Sequence, residues 1–339
     1  MSRMFKKRHL LLVILFVLAS LLSLKWTQMT EQPVIAQLGP PITAAGDEPI
    51  EPIPLHVSLN MEKVILGKQL FHDPKLSKNN TISCASCHDL TMGGIDRRAH
   101  SLGINGQIGA INAPTVLNNS FHFKQFWDGR ASSLEEQVDG PIHAANEMGS
   151  SWPEIIEKLK QSPEYVNAFD KLYEKDISAD HIKDAIATFE RSLYTPNSRF
   201  DQFLRGNANA LSDPEKEGYR RFKGYGCVAC HQGVLLGGNM YQKFGVFGDY
   251  IKERGNETKA DLGRYNVTGK AEDRYMFKVP SLRNISLTAP YFHDGSVKTL
   301  DEAVKVMVKY QLGREPNQKD VDLIIQFLKT LNGEIKEVA

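Results

Sequence analysis

The run Cys84-Ala-Ser-Cys87-His88 constrains this chain more than any other stretch. C-x-x-C-H is the pattern by which a c-type haem is attached. Each thiol adds to one vinyl group, and the histidine that follows is held where its imidazole can ligate the iron. A chain bonded in this way must wrap around a flat apolar disc. The run recurs at Cys227-Val-Ala-Cys230-His231, and these four are the only cysteines of the chain. Two disulfides or a structural zinc site would also use four cysteines. Neither requires a histidine after each second cysteine, so two covalent haems are the expected chemistry.

Composition sets the scale. The chain has 339 residues, 41% hydrophobic and 24% charged, which suffices for a sizeable core. Such a length corresponds to about two domains. A net charge of +1, with basic residues scattered, gives no ground for a nucleic-acid partner. The exception is the N-terminus, where Arg3, Lys6, Lys7 and Arg8 precede an apolar run from Leu10 to Leu24. At about fifteen residues the run is short for a bilayer span of roughly twenty. It reads as a secretory signal, with small-residue cleavage chemistry near Ala36, or as an uncleaved membrane anchor. Either way residues 1–36 direct the remainder out of the cytoplasm, and periplasmic placement is expected.

Residues 37–54 are rich in Pro and Gly and read as a linker. Val64, Ile65, Leu66, Leu70 and Phe71 predict a short helix before the first haem run. From His88 to Pro153 the density of Gly, Asn and Pro predicts loops around a cofactor. Helical patterns follow at Pro153–Lys160, Pro163–Tyr173 and Ala179–Tyr194. Ser212-Asp213-Pro214-Glu215 is a capping box that opens a helix towards Phe222, and Thr299-Leu300-Asp301-Glu302 opens another towards Tyr310. A last helix is expected from Gln318 to Leu331. No strand pattern of any length is present. The fold class is therefore mainly α, loop-rich, with two cytochrome c-like haem domains packed together: 55–205 and 206–339. Their shared order of helix, haem run, loop and helix suggests a divergent internal duplication.

Each iron has one protein ligand assured, His88 or His231, and a sixth position to account for. In the second half Met307 is a candidate, since a thioether opposite His raises the reduction potential. Core packing is the ordinary role of such a methionine, and Met276 and Met240 compete with it. In the first half a haem that cleaves an O–O bond needs an open face and a nearby carboxylate to move the proton. Glu147 fits that need, although a loop glutamate is more often a solvated charge. Trp127 fits electron relay, although a buried tryptophan is more often core.

From about Leu66 to the C-terminus the chain resembles the bacterial di-haem cytochrome c peroxidase family. The blocks that carry the resemblance are Leu66–Phe71, Ser83–His88, Asn112–Val116, Gln125–Ala131, Glu147-Met148-Gly149, Gly226–His231, Phe277–Asn284, Tyr291–Gly295 and Gln311-Leu312-Gly313. Their order and spacing together are specific. The resemblance implies a low-potential peroxidatic haem on His88, with Glu147 as the acid–base carboxylate and Gln137 as a distal amide. It implies Trp127 between the haems, and a high-potential haem on His231 with Met307 as sixth ligand. It also implies one calcium ion at Asn112, Thr288 and Pro290, a homodimer, and electrons from a small cytochrome c or a cupredoxin. Hydrogen peroxide is the implied substrate.

One position departs from the family. Many members carry a histidine in the loop after the first haem run that blocks the peroxidatic iron until the other haem is reduced. Here the matching residue is Ile104, which cannot ligate, and His100 lies four residues earlier. A di-haem electron carrier without peroxidase activity is the alternative reading. A related branch that oxidises tryptophans of a partner carries Tyr where this chain has Met307.

Overall fold

The computed structural model describes residues 48–174 and 176–335. The expected signal or anchor segment, and residues 37–47 of the linker, lie outside the described residues. No helix among the described residues is long and apolar enough to cross a membrane. The first half holds α1 (Met61–His72), α2 (Leu134–His143), α3 (Trp152–Lys160), α4 (Pro163–Tyr173) and α5 (Ala179–Ser192). Then come α6 (Arg199–Leu204), α7 (Asp213–Tyr225), α8 (Tyr250–Arg254), α9 (Tyr265–Thr268), α10 (Leu300–Val306) and α11 (Gln318–Lys329). The only sheet among the described residues is one antiparallel pair, β1 (Tyr241–Lys243) with β2 (Met276–Lys278). The mainly helical expectation holds.

Polar caps start these helices where the sequence places them. The Asn60 side chain accepts from the backbone of Glu62 and Lys63 to open α1. Ser212 and Glu215 cap α7 reciprocally, and Thr299 and Glu302 do the same for α10. The expected structureless stretch from His88 to Pro153 is corrected in one place. It contains α2, whose N-cap Ser133 accepts from Glu136 N–H. Pro141 sits inside that helix, and the Gly140-Pro141 pair disguises it as a loop.

Each half is built on one helix crossing. α1 meets α5 at Gly67, where a Cβ would lie 2.0 Å from the Ala185 carbonyl oxygen. α7 meets α11 at Gly218, where a Cβ would lie 2.0 Å from the Leu323 carbonyl oxygen. Four residues beyond each carbonyl comes a buried phenylalanine, Phe189 or Phe327, against the same glycine. Two backbones approach this closely only through glycine. Because the obstacle is main chain, it cannot rotate away. Gly218→Ala is expected to lower stability by about 1–3 kcal/mol or more, read as a fall in Tm of the haem-loaded protein. An unchanged Tm would mean the crossing is looser than described.

Separate cores surround the crossings. Leu66, Leu70, Val138, Ile142, Phe169 and Ile186 form one cluster. Phe200, Phe222, Val308, Ile324 and Phe327 form another, together with Ile50. Residues 48–54, the end of the expected linker, are therefore a strap on the second half. Ile50 and Ile53 are fully buried there. Glu48 bonds Tyr219, and Gly233 N–H donates to the Pro49 carbonyl. The Ile53 N–H donates to Asp201 Oδ1 at 3.1 Å. Phe200 and Leu204 of α6 also pack in this second cluster.

The internal duplication is visible residue by residue. At one constant spacing, without a gap, Pro114 matches Pro280, Asn118 matches Asn284, and Phe126-x-Asp128-Gly129 matches Phe292-x-Asp294-Gly295. The same spacing carries Leu134 to Leu300 and Glu136 to Glu302. The backbone agrees. Asn118 and Asn284 have φ of 63° and 58°, and Phe126 and Phe292 have 68° and 69°. A lone bridge closes each loop, Gln125 with Ala131 and Tyr291 with Val297. The halves then exchange equivalent hydrogen bonds. Asn112 N–H donates to the His293 carbonyl at 2.7 Å, and Lys278 N–H donates to the Trp127 carbonyl at 2.8 Å. Lys278 is the counterpart of Asn112, and Trp127 that of His293. Such reciprocity is the mark of a two-fold relation, here an approximate one within a single chain.

Candidate functional site

Both haem runs fold as the same tight turn. Cys84–Ser86 is a single 3₁₀ turn, and the N–H groups of Cys87 and His88 donate back to the Cys84 carbonyl at 3.2 and 3.0 Å. At Cys227 the corresponding bonds come from Cys230 and His231 at 3.2 and 2.9 Å. The turn gathers two thiols and an imidazole on one short loop. All four cysteines are free, which removes the disulfide reading. Among the described residues, the only cluster of three or more potential metal ligands is Asp261, His293 and Asp294, which contains no cysteine. The zinc reading falls with it. That cluster is itself closed by Arg254, which pairs with both aspartates.

The second nitrogen of each histidine decides what the first can do. His88 Nδ1 lies 3.2 Å from the Gly94 carbonyl, and His231 Nδ1 lies 2.9 Å from the Leu236 carbonyl. A carbonyl only accepts, so Nδ1 carries the proton and Nε2 keeps its lone pair. Burial pushes both imidazoles below their ordinary pKa, which keeps them neutral. Burial also pushes the Cys84 and Cys227 thiols up to about 12. Two polar atoms nearby, His100 Nδ1 and Ser101 Oγ, are buried without a protein partner. Paired thiols and neutral imidazoles with a free Nε2 fit a covalently held haem in each half, and in the first half the unpartnered polar atoms do too.

The two halves differ in the residue at the place where a sixth ligand is expected. Met307 is half-buried where α10 passes into a π-helical turn, Met307–Gln311. Such widened turns are frequent at functional sites. By the constant spacing that relates the halves, the counterpart of Met307 is Pro141 in α2, which has no atom to offer iron. On the other side of the first half, Ile104 is only 5% exposed. Its N–H donates to the Glu147 carbonyl at 2.8 Å. The loop with the non-ligating residue is thus docked on the segment with the candidate carboxylate. Burial raises the Glu147 pKa from its ordinary value, and the Arg130 guanidinium partly offsets this.

Gln137 is half-buried on α2, the helix that the sequence concealed. Trp127 lies where the halves exchange bonds. Its Nε1 donates to the Asn112 carbonyl at 2.9 Å, and its ring stands edge-on to His293 with centroids 6.3 Å apart. His293 is stacked on Phe277 at 4.4 Å and bonded to Asp261 at 2.8 Å. Burial would raise the Asp261 pKa, but bonds from His293, Arg254 and Thr258 hold it well below the ordinary range. His293 is a residue the sequence reading passed over. Its signal was the match between Phe292-His293-Asp294-Gly295 and Phe126-Trp127-Asp128-Gly129.

Of the residues expected for calcium, Asn112 is buried and its amide nitrogen donates to the Arg98 carbonyl at 2.8 Å. That leaves Oδ1 turned the other way. Thr288 Oγ1 donates to the Ile285 carbonyl at 3.2 Å, and Pro290 lies three residues before His293. Backbone and amide oxygens suit a hard cation.

Comparison with known proteins agrees with the geometry. The family model for di-haem cytochrome c peroxidase matches residues 61–209. The chain is 52% identical over 293 residues to the cytochrome c551 peroxidase of Nitrosomonas europaea, covering 86% of each chain. It is 50% identical over 288 residues to the cytochrome c peroxidase Ccp of Escherichia coli, covering 85% of this chain and 62% of that one. It therefore spans less than two thirds of the Escherichia coli relative's own length. Among solved structures, a MauG-like protein associated with microbial copper homeostasis aligns with a TM-score of 0.72 at 30% identity, covering 84% of this chain and 93% of that one. By its turns, its paired histidines and these relatives, the chain belongs to the di-haem cytochrome c peroxidase family.

Proposed function

We propose that this chain reduces hydrogen peroxide to two waters, consuming two electrons and two protons, in the periplasm after export. The observation that carries the proposal is a difference between the matched halves: Met307 in one and Pro141 in the other, with Ile104, which cannot ligate, buried in the loop after the first haem run. A carrier of electrons keeps both irons closed; an enzyme leaves one open to substrate. Residues 55–205 would form the peroxidatic domain and residues 206–339 the electron-entry domain.

The haem held by Cys84, Cys87 and His88 would supply the open iron and the electrons for O–O cleavage. The chain supplies the rest. Glu147 takes the proton from the near oxygen of the peroxide and returns it to the far one, which leaves as water. Its burial and raised pKa suit a group that must both accept and donate. Gln137 orients the peroxide by hydrogen bonding. Trp127, bonded to Asn112 and edge-on to His293, relays electrons from the half that carries Cys227, Cys230, His231 and Met307. Met307 would serve as a thioether ligand there and would keep that half at the higher potential. A calcium ion at Asn112, Thr288 and Pro290 would fix the contact between the halves. The donor would be a small cytochrome c or a cupredoxin, and the working form a homodimer. An N-terminal tether to the membrane is compatible with this placement.

Ile104 leads to a specific expectation. With Ile104 in place of a histidine, no protein ligand would have to be released, so fully oxidised enzyme turns over peroxide without a lag when mixed with reduced cytochrome c. Electron paramagnetic resonance of that oxidised form shows a high-spin signal. A dominant bis-histidine low-spin signal that vanishes in His100→Ala overturns the open-iron reading. Absence of turnover with both haems attached favours the electron carrier.

A further inference from the structure

Among the described residues, Lys278 is a buried cation without a protein anion. It is 8% exposed, and its ammonium lies 2.7 Å from Nδ1 of His122. An ammonium only donates, so the imidazole accepts and is neutral. Burial and the adjacent ammonium push the His122 pKa well down, and burial alone pushes Lys278 down to about 7. A charged ammonium in such a place needs a counter-charge.

Its place in the duplication says which charge. By the same constant spacing, Lys278 is the counterpart of Asn112 and His122 the counterpart of Thr288. Those are two of the residues named above for a divalent cation. The pair thus occupies, on one side of the approximate two-fold relation, the position that the cation would hold on the other. Lys278 also stands two residues before Pro280, whose carbonyl lies beside the His231 imidazole. Gly238, two residues past the carbonyl that holds His231, packs on the His122 ring: a Cβ there would lie 2.8 Å from His122 Nδ1.

We infer that Lys278 is a built-in counter-cation for the haem on His231, its ammonium facing a carboxylate side arm of that haem while His122 orients it. The ammonium would carry, on one side of the two-fold relation, the positive charge that a cation at Asn112 and Thr288 would supply on the other. This rests on the di-haem reading and goes beyond it, because it assigns a charge role to a residue outside the ligands and the peroxide site.

The test is the midpoint potential of each haem, read by spectroelectrochemistry on the haem-loaded protein. Removing a positive charge beside a haem disfavours the reduced form. Lys278→Met lowers the potential of the His231 haem by at least a tenfold change in the reduction equilibrium, about 59 mV for one electron. Lys278→Arg keeps most of the original value. Should Lys278→Met not accumulate, Lys278→Gln keeps a donor to His122 without the charge and is expected to show the same fall. Unchanged potentials with both haems attached overturn the inference, as does a shift confined to the His88 haem. A protein that holds two haems but shows no peroxidase activity would sink the functional reading while leaving this measurement legible.

Discussion

Glu147→Gln lowers the rate of peroxide reduction by about 10²–10⁴-fold while both haems stay attached. The substitution keeps size and hydrogen bonding but removes the proton carrier. The backbone bond from Ile104 to the Glu147 carbonyl survives, because it does not use the side chain. The loss should therefore fall on turnover and leave the haem spectra and the Tm unmoved. The pH profile gives a second reading. The first step needs the unprotonated carboxylate, and burial raises its pKa. Activity is thus full above that raised value and falls as the pH drops through it, at a higher pH than an exposed glutamate would give. In Glu147→Gln this acid limb disappears. A variant that keeps wild-type turnover would show that the proton is moved by another group.

Arg283→Met is the most destabilising of the changes considered, at about 3–5 kcal/mol. Arg283 is 1% exposed, and its Nη1 pairs with Asp201 Oδ1 at 2.8 Å. Its other nitrogens donate to the carbonyls of Val234 and Glu51. Removing the guanidinium leaves Asp201 charged, buried and without its cation, and frees the strap at Glu51. Denaturant unfolding of the haem-loaded protein measures the loss. The double variant Arg283→Met with Asp201→Leu recovers most of it, since apolar replacement of a whole buried pair is often neutral. A single variant within 1 kcal/mol of the parent would show that water reaches the pair.

What the sequence made legible follows the range of the physics. The haem runs are covalent chemistry written in consecutive residues, and capping boxes are decided within four. The capping box at Ser212 marks the start of Asp213–Tyr225, and helical patterning alone places Pro163–Tyr173 and Gln318–Lys329 near their observed bounds. α2 was hidden because Gly140-Pro141 outweighed the cap at Ser133. Long-range pairings left no local trace. Arg283 with Asp201, Ile50 under the second core, and Lys278 with His122 each join segments far apart in the chain. The candidate ligands were legible as residues, but the contrast between Met307 and Pro141 needed the two halves aligned. That alignment lies in the constant spacing of the two halves, and the reciprocal bonds of Asn112 and Lys278 agree with it.

The strap at residues 48–54 sets an order of assembly. These residues leave the ribosome early, yet the groove they fill is made from α7, α11 and the turn at Gly233, much of it synthesised last. Ile50 stays uncovered until the tail of the chain arrives. The second half therefore cannot mature by itself from its own segment: its closing piece comes from ahead of the first. The molecule has two repeats but a single point of completion.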